Sequence, residues 1–186
     1  MIVILSGVSG AGKDTIKRIL MGKDGRIKTL PSYTTRDKRV NEVEGENYYY
    51  ISKEKFKEMI DNNEFYEYSV HHGNYYGTNK KLLNERIKNN IVLKDIDVNG
   101  TEDLLKIFRG TDIKIISIFL NISKEEMLKR LENRDDKLKQ EEIELRMNRY
   151  DYEMNHIGIY DYVIKNYDAE KTSNIILDII KREQEQ

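Results

Sequence analysis

The chain has no cysteine, which excludes a disulfide framework and any thiolate metal centre and is compatible with a reducing cytosol. It also lacks an excess of charge: 32 Lys and Arg stand against 33 Asp and Glu, a formal net charge of −1. No overall positive field therefore draws in nucleic acid, and any binding of anions must be local. Long hydrophobic runs are missing as well, for nothing approaches the ~20 apolar residues of a membrane span. The opening run Met1 to Leu5 has no basic leader and no small-residue cleavage site, so it reads as a buried strand rather than a targeting signal. A cytoplasmic protein without a membrane partner is the expectation. His71, His72 and His156 show no metal-ligand spacing. There is no internal repeat and no low-complexity linker, and 186 residues suit one domain with room for an inserted lobe.

What is present starts directly behind the first apolar run, where Gly7-Val8-Ser9-Gly10-Ala11-Gly12-Lys13 forms a glycine-rich segment ahead of a helical stretch. Strand, glycine loop and helix in that order make a phosphate cradle: the glycines let backbone N–H groups face inward, and Lys13 adds a mobile ammonium. The positive end of the helix adds to the field. The pattern usually closes with Ser or Thr as a magnesium ligand, but position 14 is Asp and the hydroxyl arrives at Thr15. A glycine-rich turn that binds nothing is the alternative.

Further along, the apolar runs Ile91 to Leu93 and Ile113 to Leu120 alternate with stretches of helical spacing, as in a parallel-sheet α/β domain. Ser123 with Glu126 reads as a capping box ahead of the stripe Met127, Leu128 and Leu131. Tyr162 to Ile164 reads as a last strand, and Ile175, Ile176, Ile179 and Ile180 as the apolar face of a terminal helix. Between about Tyr48 and Thr78 the pattern changes: Tyr48 to Ile51 and Phe65 to Val70 alternate like half-buried strands around a helix-like Lys53 to Ile60. His72-Gly73-Asn74 reads as a turn. Asn133 to Arg149 is dense in charge, either a lid or a solvated helix with i,i+4 ion pairs.

Ser32-Tyr33-Thr34-Thr35-Arg36-Asp37-Lys38-Arg39 offers two guanidiniums three residues apart beside several hydroxyls, which suits a phosphate dianion. Taken with Gly7 to Lys13, Gly45 to Tyr50, Tyr75 to Thr78, Asp95-Ile96-Asp97, Arg130 to Arg134, Arg146, Glu153, and Asp161 to Ile164 followed by Asn166, it resembles guanylate kinase in order and spacing over nearly the whole chain.

The resemblance implies an α/β P-loop kinase fold: three layers around a five-stranded parallel sheet, with an inserted mixed α/β GMP-binding lobe and a helical lid. It places the core at 1–31, 80–132 and 156–186, the lobe at 32–79 and the lid at 133–155. The implied reaction is ATP plus GMP, and by extension dGMP, with magnesium carried on ATP. It assigns Gly7, Val8, Ser9, Gly10, Ala11, Gly12, Lys13, Asp14, Thr15 and Asn166 to ATP, with Asp14 or Thr15 at the metal. Ser32, Arg36, Arg39, Tyr48, Glu67, Tyr76, Thr78 and Asp97 go to GMP, and Lys13, Arg36, Arg134, Arg146 and Asp97 to catalysis. Asp95 and Asp97, at period two after a buried strand, are expected on one face at its C-terminal edge.

The residue types agree with this. A carboxylate at Glu67 can accept both guanine donors, N1–H and the N2 amino group, while a Thr78 hydroxyl can donate to O6; adenine would set a lone pair against the carboxylate. Taken alone, Glu67 could equally be an exposed strand carboxylate and the tyrosines strand packing. Two other readings stay open: a kinase for another purine monophosphate, and an inactive module of the same fold that binds a phosphorylated protein through Arg36, Arg39 and Tyr48.

Overall fold

The computed structural model describes residues 1–40, 42–71, 73–133 and 139–185. In chain order its strands are β1 (Ile2–Gly7), β2 (Ile27–Thr29), β3 (Ser32–Thr34), β4 (Tyr48–Tyr50), β5 (Phe65–His71), β6 (Asn74–Asn79), β7 (Ile91–Asp95), β8 (Ile115–Asn121) and β9 (Tyr162–Lys165). Its α-helices are α1 (Lys13–Lys23), α2 (Lys53–Asp61), α3 (Lys80–Arg86), α4 (Val98–Phe108), α5 (Lys124–Glu132), α6 (Gln140–Asn155) and α7 (Ala169–Glu185). Five strands make one sheet, ordered β2-β7-β1-β8-β9, and four make a second, ordered β4-β3-β6-β5. Every residue of β1 is buried, the mark of a parallel strand covered on both faces, and this is why its sequence is uniformly apolar rather than alternating.

Two compact units are distinguished: 1–2 with 26–115, and 3–25 with 116–186. In the first, β2 and β7 pair in parallel with Ile27 opposite Ile91. The same unit holds the second sheet, in which β3 runs parallel to β4 and antiparallel to β6, and β5 is antiparallel to β6. Its small core is aromatic: Phe56 of α2 stacks on Phe65 of β5 with centroids 4.5 Å apart, and Tyr33 stacks on Tyr49 at 5.0 Å. Gly77 of β6 leaves room for those rings, since a Cβ there would lie 2.9 Å from both Phe56 and Phe65. The register shifts between Phe65 and Glu67, and beyond the shift Glu67 stands directly opposite Thr78.

In the second unit β8 pairs in parallel with β9, Leu120 opposite Ile164. Helix α7 buries Ile176, Ile179 and Ile180, but Ile175 is 48% exposed, because only i, i+3 and i+4 share one helical face. Ser123 caps α5 by accepting from the Glu126 N–H at 3.2 Å. The Glu126 carboxylate does not complete the expected box; it accepts from Arg130 Nε at 2.7 Å.

Other expectations are refined. Ser32 to Thr34 is a strand that the sequence did not disclose, since three residues are too few to show a period. The apolar strand ends at Asp95, so Asp97 does not share a strand face with it: Asp97 is the N-cap of α4, its Oδ1 accepting from the Gly100 N–H at 3.0 Å. Arg134 lies outside the described residues.

Candidate active site

The glycine-rich loop lies in the second unit. Gly7 ends β1 with φ +151°, and a Cβ there would meet the Leu120 carbonyl oxygen at 2.4 Å, so this position admits only glycine. Gly12, with φ +89°, caps α1, which brings the loop onto the helix N-terminus, where N–H groups and the helix dipole favour an anion. Val8 and Ala11 are buried anchors. Lys13 Nζ donates to the Gly7 carbonyl at 2.8 Å, folding the ammonium back over the loop.

Three side chains brace the loop from outside. Arg130 donates from Nη1 to the Gly10 carbonyl at 3.2 Å and from Nη2 to the Asn166 carbonyl at 2.9 Å. Asn166 Nδ2 donates to the Ala11 carbonyl at 2.6 Å, and its Oδ1 is buried without a hydrogen-bond partner among the described residues. From α6, Arg146 Nη1 donates to the Ser9 hydroxyl at 3.0 Å. Arg146, expected near the transferring group, and Asn166, expected at ATP, thus both hydrogen-bond to residues of the loop. Arg130, by sequence a weaker candidate than Arg134 and Arg146, is tied to it too. Asp14 is 93% exposed at its side chain and pairs along the helix with Lys17 at 2.7 Å, and Thr15 is exposed beside it.

The residues expected at GMP lie in the first unit. Glu67, far from being an exposed strand carboxylate, is buried, and Thr78 is fully buried and donates its hydroxyl proton to Glu67 Oε1. Burial pushes the Glu67 carboxyl above its ordinary value, while the positive charge of Lys94 and the Thr78 hydrogen bond restrain that rise. Gly100 packs against Ile96 here, where a Cβ would collide with the Ile96 side chain and lie 3.3 Å from Glu67 Oε2.

Arg36 is half-buried above Tyr48 and Tyr50, with its guanidinium carbon 5.3 and 5.8 Å from the two ring centroids. Its fork is engaged by Glu42, Nη1 to Oε2 at 3.0 Å and Nη2 to Oε1 at 2.7 Å. Glu42 also accepts from the Arg39 N–H at 2.9 Å and the Tyr50 hydroxyl at 2.8 Å. Burial alone would raise this carboxyl, but those hydrogen bonds outweigh it and hold Glu42 at about 2, and Tyr50, half-buried against the same carboxylate, rises to about 12. Tyr48 meets Tyr76 edge to face at 5.8 Å, so Arg36, Tyr48 and Tyr76 form one cluster, whereas the Arg39 side chain is exposed. Ser32 is held by Lys94, whose Nζ donates to its Oγ at 2.5 Å. Glu42 and Lys94 escaped the sequence reading. An acid in an irregular loop has no periodic signature, but a lysine interrupting the buried run Ile91-Val92-Leu93 was a visible anomaly.

A parallel sheet whose first strand feeds a glycine loop and a helix N-terminus is the architecture of the P-loop phosphate-binding proteins. Within that class the Guanylate kinase family model matches residues 1–183. The guanylate kinase of Prochlorococcus marinus subsp. pastoris is 41% identical over 182 residues, covering 97% of this chain and 96% of that one. That of Helicobacter pylori is 39% identical, covering 97% and 86%. The crystal structure of guanylate kinase from Anaplasma phagocytophilum superimposes with a TM-score of 0.80 at 30% identity, covering 100% of this chain and 87% of that one. Shikimate kinase from Bacteroides thetaiotaomicron, at 12% identity and a TM-score of 0.55, shares the fold alone. The chain belongs to the guanylate kinase family.

Proposed function

We infer that this protein transfers the γ-phosphoryl group of ATP to GMP, giving ADP and GDP, and that dGMP serves as well because the base contacts do not inspect the 2′ position. The observation that carries the reading is the buried pair Glu67 and Thr78. A buried carboxylate is costly to keep unless a ligand uses it, and guanine brings two donors for its oxygens. On binding, the Thr78 hydroxyl would turn from Glu67 to donate to guanine O6. Adenine, lacking those donors, would leave the carboxylate unpaired.

An acceptor phosphate oxygen attacks the γ-phosphorus in line as the bond to the β,γ-bridging oxygen breaks, so no covalent enzyme intermediate is needed. The chain's residues position and neutralise: Ser32, Arg36, Arg39, Tyr48 and Tyr76 the GMP phosphate, and Gly7 to Lys13 with Thr15 the triphosphate. Asn166 holds the loop and sits by the adenine. Arg146, with Arg134, stabilises the transferring group, and Asp97 stands near the reacting phosphates. For the phosphate to enter, the Arg36 fork must exchange Glu42 for phosphate oxygens or share its donors between them. We assign 32–79 as the acceptor lobe, 133–155 as the lid and the cytoplasm as the setting. Among the described residues no helix is long and apolar enough to cross a membrane.

The donor set at Asp14 and Thr15 is hard oxygen, which fits magnesium bound chiefly by phosphates and water with one protein ligand. Bound there, the ion would neutralise charge on the β- and γ-phosphates. The described residues hold no cluster of three or more acidic, histidine or cysteine side chains suited to a metal. Asp14 leaves the loop glycines and Lys13 intact, which favours the enzyme over an inactive phosphoprotein-binding module.

The test is a coupled ADP-release assay with magnesium-ATP and GMP, dGMP, AMP, CMP or UMP. Turnover with GMP and dGMP, lost in Lys13→Ala and no longer guanine-selective in Glu67→Gln, is expected. GMP binding without turnover would refute the enzyme reading, and equal rates with AMP would refute the role of Glu67.

A further inference from the structure

Lys94 is 1% exposed, one of the largest fully buried side chains in the protein, yet it is a lysine in a parallel strand of Ile, Val and Leu. A buried ammonium is expensive unless its protons are well placed. Here Nζ donates to the Leu30 carbonyl at 3.3 Å and to the Ser32 hydroxyl at 2.5 Å. The backbone delivers it there: Leu30 N–H bonds the Leu93 carbonyl at 3.0 Å, tying the entry of β3 to β7. The hydrogen bond to Ser32 has a direction. Lys94 can only donate, so Ser32 Oγ must accept, and the serine's own proton points away from the ammonium toward some other acceptor.

From this we propose that Lys94 is a positioning residue of the acceptor half. It fixes Ser32 as a hydroxyl donor and places a buried positive charge behind it, so that Ser32 presents its proton to an oxygen of a phosphate dianion. This rests on the reading of Ser32 as a GMP-phosphate ligand. A serine free to rotate would offer a lone pair to the anion part of the time; one that already accepts from an ammonium is polarised as a donor, and the bond it gives is strengthened accordingly. The same cation restrains the rise of the buried Glu67 carboxyl, a smaller influence than its direct bond to Ser32. A merely structural lysine would be replaceable by an apolar chain of equal length, often without loss of stability.

The experiment is steady-state kinetics on Lys94→Met, Ser32→Ala and the double variant, with GMP and ATP varied separately and folding checked by circular dichroism. Lys94→Met is expected to raise the GMP KM roughly ten- to a hundredfold, the range for losing a charge-assisted hydrogen bond, with the ATP KM unchanged. In the Ser32→Ala background the same substitution should add at most about threefold, because the lysine acts through that hydroxyl. Lys94→Gln, whose amide can still donate to Ser32, should recover most of the GMP KM, and Lys94→Leu carries the cycle if Lys94→Met does not fold. An unmoved GMP KM in a folded variant with an apolar side chain at position 94, or effects that simply multiply in the double variant, would overturn the proposal. Absence of GMP turnover in the unaltered protein would instead overturn the function on which it rests.

Discussion

Replacing Glu42 by Gln removes the charge from a carboxylate held by four donors while keeping its shape. Glu42 receives two hydrogen bonds from Arg36, one from the Arg39 N–H and one from the Tyr50 hydroxyl. The amide can accept at one position only, and its NH2 would face an Arg36 donor. The fall of the carboxyl from its ordinary 4.5 to about 2 corresponds by linkage to about 3 kcal/mol at neutral pH; solvent screening at this partly open site lowers the figure to about 2 kcal/mol. The sign follows from the depressed value. The contribution is fully present above pH 4.5, where the unfolded chain would also be ionised, and is lost as the pH falls through about 2. Thermal unfolding by circular dichroism should therefore place Glu42→Gln about 4–8 °C below the unaltered protein at pH 7, from ~2–4 °C per kcal/mol at this chain length. The gap should close as the pH approaches 2. Equal melting temperatures at pH 7, or a gap that persists undiminished at pH 2, would refute the assignment of the stabilisation to this ion pair.

Gly77→Ala forces a methyl to within 2.9 Å of two stacked rings and should cost about 1–3 kcal/mol, read as a lower urea midpoint; an unchanged midpoint would show that Phe56 and Phe65 repack freely. Arg130→Met removes the brace on the Gly10 and Asn166 carbonyls and should raise the ATP KM roughly tenfold while leaving the GMP KM in place, so a GMP-selective defect would contradict it. Asp14→Ser removes the carboxylate that pairs with Lys17 and supplies a neutral hydroxyl at the position proposed for the metal. The magnesium concentration for half-maximal rate should shift more than the GMP KM, and an identical magnesium titration would exclude Asp14 from the metal's surroundings.

The sequence by itself determined whatever depends on local order. A uniformly apolar β1, a glycine loop and Lys13 at the head of a helix are consecutive in the chain, so strand, cradle and helix dipole were legible from residues 1–23. The alternating strands around α2 and the capped start of α5 were legible for the same reason, since hydrophobic period and caps are short-range signals. Only the tertiary structure decided what depends on residues distant in the chain meeting one another. The register shift in β5 turned Glu67 onto Thr78 and into the interior. The end of β7 at Asp95 released Asp97 to cap α4. Glu42 closed on Arg36, Arg130 and Asn166 reached the phosphate loop, and Lys94 found Ser32 across 62 residues. Such meetings are set by backbone register and by the need of each buried charge or carbonyl for a partner, and a linear pattern carries the need without naming the partner.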